Sequence, residues 1–476
     1  MPDLLLHRAR LGAGLVDVRI EDGRITALAP QLDAGPLEVV EADGRRLLRG
    51  LWDEHVHMTQ AALAASWIQL GGATSAAEAT ELVRRGAAEQ PGDWPLLGIG
   101  FRDGVWPDLP TRAALDAAAG ERPVVLTSHD VHAVWLSSAA GRRFGVELDD
   151  SGLLREGAAF AVARDVRELS EASADPAVAA LAEQAAQRGV VGIVDFEMAW
   201  NKDPWLRRAA AGFAALRVEA AVYPFDLDRA ADEGLCTGAA LDDDLGLLSV
   251  GPLKTLIDGA LNTRTAYLAE PYPDGTRGLL TVPPDELRAL LTRAREVALT
   301  PAVHAIGDAA VKSALDAFEA TGVSGRIEHA QLVADADLPR FGRLGVTASV
   351  QPGHLLDDRD VAEQHWPGRT GRAYPFRRLL DAGATLVLGS DTPVAPLDPW
   401  LAIRAAVERT GDEQPPWHGE QRITLGEALA ASTRGRAEPR VGDAADLVLL
   451  DEPLERMSAS GVAATLVAGR FTHRRF

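Results

Sequence analysis

The residues best suited to chemistry stand in one short stretch, Asp53-Glu54-His55-Val56-His57. Two imidazoles one residue apart on a strand face the same side, about 7 Å apart along it. Where a strand ends and twists, that spacing lets both rings converge on one cation. Matching donors recur at the ends of later strands: Lys254 on the fourth, His304 on the fifth, His329 on the sixth and Asp391 on the eighth. Each alone has an ordinary explanation, a core histidine for His304 or a helix cap before Thr392-Pro393 for Asp391. Recurrence at the same end of five strands does not. Imidazole and carboxylate ligands without a thiolate suit zinc or a similar divalent ion, with one position left open for water.

These donors need a scaffold that brings strand ends together. The apolar run Leu47 to Trp52 reads as a buried strand leading into the histidines. Val190 to Phe196, Leu216 to Tyr223, Val250 to Asp258, Pro301 to Ile306, Gly325 to His329, Val346 to Val350 and Thr385 to Asp391 complete a set of eight. Helical patterns separate several of them, most clearly Pro284 to Ala298 and Ala309 to Ala320, so the strands are expected to lie parallel. The expected class is α/β, a (β/α)₈ TIM-like barrel over 50–440 whose site lies at the C-terminal ends of the strands.

The stretch between the first and second barrel strands is too long for one helical connection. Trp94 to Gly100 and Pro123 to Thr127 read as strands of an inserted lobe at about 70–165, covering the barrel mouth. At the N-terminal end Leu15 to Ile20 alternates, Glu21-Asp22-Gly23-Arg24 is a hairpin turn, and Ile25 resumes. Ala445 to Leu450 and Val462 to Val467 read similarly, so 1–49 and 441–476 are expected to build a small β-sandwich domain together.

Composition narrows the partners. Hydrophobic content of 47% and charged content of 25% are those of a globular protein. A net charge of −21 argues against nucleic acid, whose phosphates need a basic surface. Cys236 is the only cysteine, no run suggests a membrane span and no leader is evident, so a cytoplasmic protein acting on a small molecule is expected. A homodimer is compatible with a barrel of this size, and no stretch identifies an interface. Lys202, Lys254 and Lys312 are the only lysines among 48 basic residues. A chain that uses arginine almost everywhere, yet has Lys254 inside an apolar strand, points to a need for an amine there.

The sequence resembles the amidohydrolase superfamily, specifically the amidohydrolase-3 branch that includes N-substituted formamide deformylases. The resemblance rests on Asp53 to His57, Asp258-Gly259-Ala260-Leu261, His304-Ala305-Ile306-Gly307-Asp308, Arg326-Ile327-Glu328-His329-Ala330, Ser349-Val350-Gln351-Pro352, Gly389-Ser390-Asp391-Thr392-Pro393 and Gly442 to Val448. It implies a metal-dependent hydrolase cleaving a C–N bond of an amide, formamide or cyclic imide. By the resemblance, His55 and His57 hold one metal, His304 and His329 a second, and Lys254 bridges them as a carbamate formed with CO₂. Asp391 would bind the first metal and act as general base toward a metal-bound hydroxide, with His329 the other catalytic residue. If Lys254 instead pairs with a carboxylate, the site holds one metal, which suits deamination of a heterocycle. A barrel that lost catalysis and binds a ligand is the third reading.

His132 resembles the family's lobe segment reaching into the pocket. Arg264 and Tyr272 after the fourth strand, His354 after the seventh and Trp52 are the further expected substrate contacts. His7, His365, His418 and His473 are left as surface residues. Arg49-Gly50-Leu51-Trp52 departs from the family's usual Pro-Gly pair, and Thr433 to Arg440 replaces a longer stretch.

Overall fold

The computed structural model describes residues 3–90, 92–411, 413–456 and 458–476. Eight parallel strands form the expected barrel: β1 (Leu51–Val56), β2 (Val190–Asp195), β3 (Arg217–Val222), β4 (Leu248–Leu256), β5 (Pro301–Ala305), β6 (Arg326–His329), β7 (Thr347–Val350) and β8 (Leu386–Leu388). Neighbours in this order are paired throughout, and β1 lies beside β2. A parallel bridge between Val56 and Thr392 closes the ring from β8 to β1. β2 is buried along its whole length, as expected of a strand covered on both faces. Apolar side chains between the sheet and the surrounding helices form the main cores, with Leu287, Leu315, Phe318 and Phe341 on one side and Val178, Ala182 and Trp205 on another.

The termini meet in a second sheet of eight strands. Arg46–Arg49, from the N-terminal part, pairs antiparallel with Leu447–Leu450, from the C-terminal part. Leu6, Val18, Ile20, Leu447, Leu449 and Leu466 fill a core of its own. The turn read at Glu21 to Arg24 is there: Asp22 and Gly23 have φ of 50° and 71°, the left-handed pair that suits a two-residue hairpin.

The run Leu47 to Trp52 is not one strand. It divides at Gly50, with Arg46–Arg49 in the terminal sheet and Leu51–Val56 in the barrel. A Cβ on Gly50 would stand 2.1 Å from the Val191 side chain, so the chain can cross from one sheet to the other only where no side chain intervenes.

Between β1 and β2 a five-stranded sheet contains Ile68–Gln69, Leu96–Phe101, Val124–Ser128, Ala133–Leu136 and Leu153–Arg155. The helix Gly157–Gln187 then runs from this lobe to the barrel. Phe160 and Val166 near its start face the cavity, while Val178, Ala182 and Ala185 near its end pack in the barrel core. Among the described residues no helix is long and apolar enough to cross a membrane.

Candidate metal centre

The register between β1 and β8 aims the donors. The Asp53 carboxylate accepts hydrogen bonds from the backbone N–H of Ser390 at 2.8 Å and of His55 at 3.2 Å. Burial pushes its pKa up to about 7 against those bonds. The Asp391 N–H donates to the His55 carbonyl at 2.6 Å, and the His57 N–H to the Thr392 carbonyl at 2.9 Å. Asp391 and His329 both sit in the left-handed region, with φ of 57° and 72°. Such backbone costs about 1–3 kcal/mol per residue and persists where its surroundings over-determine it, commonly at functional sites.

His55 Nε2 and His57 Nε2 lie 3.3 Å and 3.2 Å from Asp391 Oδ1. Across the same carboxylate, His354 Nε2 and His329 Nε2 lie 3.8 Å and 3.9 Å from Oδ2. Asp391 therefore belongs to two groups, His55–His57–Asp391 and His329–His354–Asp391, each with donor atoms within 4.8 Å of one another. His304 stands beside the second group, its ring centroid 4.5 Å from that of His329. Its Nε2 is turned to the Gly259 carbonyl at 3.2 Å.

Burial, reinforced by Lys254 and neighbouring imidazoles, holds His55, His304 and His329 well below the usual histidine pKa, so their rings are neutral. Burial opposes charge on Asp391 too, but His55 and His57 outweigh it and hold the carboxyl below its usual range. An ionised carboxylate beside the neutral rings of His55 and His329 is the donor set of a divalent cation. His329 Nδ1 and His354 Nε2 are buried without a hydrogen-bond partner among the described residues, so the residues present fit such an ion. Lys254 Nζ lies 3.3 Å from His55 Nε2 and 4.5 Å above the Phe196 ring. Burial pulls its pKa down to about 8, against the pull of Glu328 and Asp391.

Glu328 escaped the sequence reading. Its Oε2 lies 2.7 Å from His55 Nδ1, which fixes the ring and leaves Nε2 facing Asp391. Arg326 bonds Glu328 and reaches Glu54 Oε2 at 2.9 Å, and Arg434 bridges Glu54 to Glu219 at 2.6 Å each. The signal was present: Arg326 and Glu328 alternate on one face of a short strand that should otherwise be apolar.

His132 Nδ1 lies 2.9 Å from Glu156 Oε2, and Glu156 also accepts from the Thr265 hydroxyl. Burial works against a charged His132, but Glu156 more than offsets it and the pKa rises to about 9. Above the donors lies a cavity with an apolar wall of Leu63, Trp67, Leu97, Val125, Phe160 and Met198. A second, smaller cleft, on the side of His354 and Asn262, shares Asp130, His132, His329 and Asp391 with the first. His132 and His354 thus line the site.

Three expected substrate contacts lie elsewhere. Arg264 points to solvent and pairs with Asp274 at 3.1 Å. Tyr272 is buried in the core, its hydroxyl donating to the Ala266 carbonyl at 3.1 Å. Trp52, at the far end of β1 from the donors, packs on Val191 and Leu247 beneath the Arg434 guanidinium. His365 is buried rather than at the surface, because its helix presses that end against Tyr272.

A family model described as the amidohydrolase family matches residues 38–473. The chain belongs to that family. This amidohydrolase is 31% identical to Protein LONG AFTER FAR-RED 3 of Arabidopsis thaliana, over 94% of this chain and 85% of that protein. It is 26% identical to the N-substituted formamide deformylase of Arthrobacter pascens, over 91% and 89%. An uncharacterized metal-dependent hydrolase from Pyrococcus horikoshii superposes with a TM-score of 0.76 at 26% identity, covering 95% of this chain and 98% of that one. Together with the donor set, these make the chain a metal-dependent hydrolase of the amidohydrolase family.

Proposed function

We propose that this amidohydrolase cleaves a C–N bond of a small neutral or apolar amide, formamide or cyclic imide. The observation that carries the reading is the placement of Asp391, an ionised carboxylate shared between two imidazole groups beneath a largely apolar cavity. His55, His57 and Asp391 would hold one divalent ion, zinc by the donor set. His329 with His304 or His354 would hold a second, and Lys254 as a carbamate would join the two. When bound, the metal supplies Lewis acidity, which polarises a carbonyl and makes water a nucleophile near neutral pH. Asp391 takes the proton of the attacking water and returns it to the leaving nitrogen. Its buried, hydrogen-bonded backbone holds the carboxylate where that shuttle needs it. Carbamylation consumes the neutral amine, and a Lys254 pKa near 8 supplies more of that form at neutral pH than an exposed lysine would. The protonated His132, on the cavity wall, offers a donor to the substrate's polar atoms.

The test is elemental analysis of protein prepared without chelator, then a screen of formamides, acyl amines and cyclic imides. About two ions per chain with turnover of one of these classes is expected. No bound ion after incubation with zinc or manganese, and no turnover, would overturn the proposal and leave a ligand-binding barrel. One observation favours a second reading, deamination of a heterocycle at a single metal: His55, His57 and Asp391 close one group, while His304 Nε2 faces a backbone carbonyl. One ion per chain and release of ammonia from purine or pyrimidine analogues would support it.

A further inference from the structure

Two cavities meet at Asp391. Leu63, Trp67, Leu97, Val125, Phe160 and Met198 give the larger an apolar wall, while the smaller gathers buried polar atoms that lack partners. We infer that the substrate is bipartite. An apolar aryl or alkyl tail occupies the larger chamber, and a neutral hydrogen-bonding head, of ureido, carboxamide or cyclic imide type, occupies the smaller cleft. This rests on the reading that the scissile C–N bond is presented to Asp391.

Unpaired polar atoms mark the head site. Arg102 Nε, Asp130 Oδ2, and Asn262 Oδ1 and Nδ2 are all buried without a hydrogen-bond partner among the described residues, and all three residues line the one cleft. Leaving a buried polar group unsatisfied is costly, and proteins satisfy nearly all of theirs. Four such atoms in one cleft are what a polar ligand group would satisfy. Asn262 is 7% exposed, and the lobe's turn at Gly104 lies directly against it, so the head is read where lobe and barrel meet.

The types of these atoms choose a neutral head. Asn262 offers both an acceptor and a donor, the complement of a carboxamide or urea. The Arg102 guanidinium at the cleft is committed to Asp357 at 2.7 Å, and His129 meets the same carboxylate at 3.3 Å. Asp130, Asp358 and Asp391 also line it, which disfavours an anionic head. A cationic head would sit beside the Arg102 guanidinium and next to the proposed metal group. The larger chamber has the apolar lining of a pocket for a small organic ligand.

The experiment is calorimetric binding of three probes to purified, metal-loaded protein: phenethylurea, methylurea and 3-phenylpropionate, with turnover checked by mass spectrometry. Phenethylurea should bind at least tenfold more tightly than either of the others. Asn262→Leu should weaken phenethylurea about tenfold through the head, and Leu97→Trp about tenfold through the tail. Equal or tighter binding of 3-phenylpropionate or methylurea would overturn the inference, as would unchanged phenethylurea affinity in a folded Asn262→Leu protein. Should either variant fail to fold, the ranking on the wild-type protein decides alone. Amide hydrolysis with a failed ranking sinks only the bipartite substrate. The expected ranking in a protein that hydrolyses no C–N bond sinks only the proposed activity.

Discussion

At the scale of single residues, the centre works by contrast between neighbours: the neutral rings of His55, His304 and His329 near one ionised carboxylate, Asp391. Replacing Asp391 with Asn keeps the shape and removes the base. Turnover should fall by about 10²–10⁴ with most of the metal retained, read as kcat beside elemental analysis. Near-wild-type turnover would refute the assignment. The His132–Glu156 pair gives a pH test. The His132 pKa rises from 6.5 to about 9 in the folded protein, so its share of stability is fully present below pH 6.5 and lost as pH climbs through 9. Glu156 is depressed, so the pair acts above the ordinary carboxylate range. The melting-temperature gap between wild type and Glu156→Gln should be widest near pH 5–6.5 and close toward pH 10, with the His132 part worth about 3 kcal/mol. A gap that is flat in pH would contradict the pairing. The donors themselves were legible because histidine and aspartate at strand ends are few. The residues that orient them were not: Glu328 and Glu156 act through partners 273 and 24 positions away. Arg264 and Tyr272 follow the right strand, yet the loop turns one to solvent and the other into the core.

At the scale of elements, the site depends on how closely β8 approaches β1. A Cβ on Gly389 would stand 2.7 Å from the His55 backbone nitrogen and from its Cβ. Gly389→Ala should therefore push the two strands apart, at an overpacking cost of about 1–3 kcal/mol. Zinc affinity should drop at least tenfold, measured by competition with a chromogenic chelator. A variant that loses melting temperature while binding zinc normally would show that the contact supports only the fold. Most barrel strands could be read from their apolar runs, since a strand buried on both faces has little other pattern. Their limits could not, because parallel pairing ends where the partner ends: Thr385 to Asp391 narrows to Leu386–Leu388, and Leu47 to Trp52 splits at Gly50. That split is a packing event between distant segments, which no local pattern records.

At the scale of the molecule, the lobe and the barrel are tied across the cleft by Asp357, which holds Arg102 and His129 together. These ties hold its carboxyl below the ordinary range despite burial. Asp357→Asn should loosen that tie and speed amide hydrogen exchange around 102–106 and 129–132, with barrel strands unchanged. Uniform exchange in both proteins would mean the lobe is held by its packing alone.

The joint sheet of the two termini has a consequence in time. Arg46–Arg49 emerges from the ribosome early, yet its antiparallel partner Leu447–Leu450 is made about 400 residues later. At about 5–20 residues per second, that edge waits roughly 20–80 s with its backbone groups unpaired. The nascent chain therefore carries an open strand edge throughout synthesis of the catalytic barrel. Chains arrested near residue 440 should be clipped by protease within the first fifty residues, whereas released chains should resist.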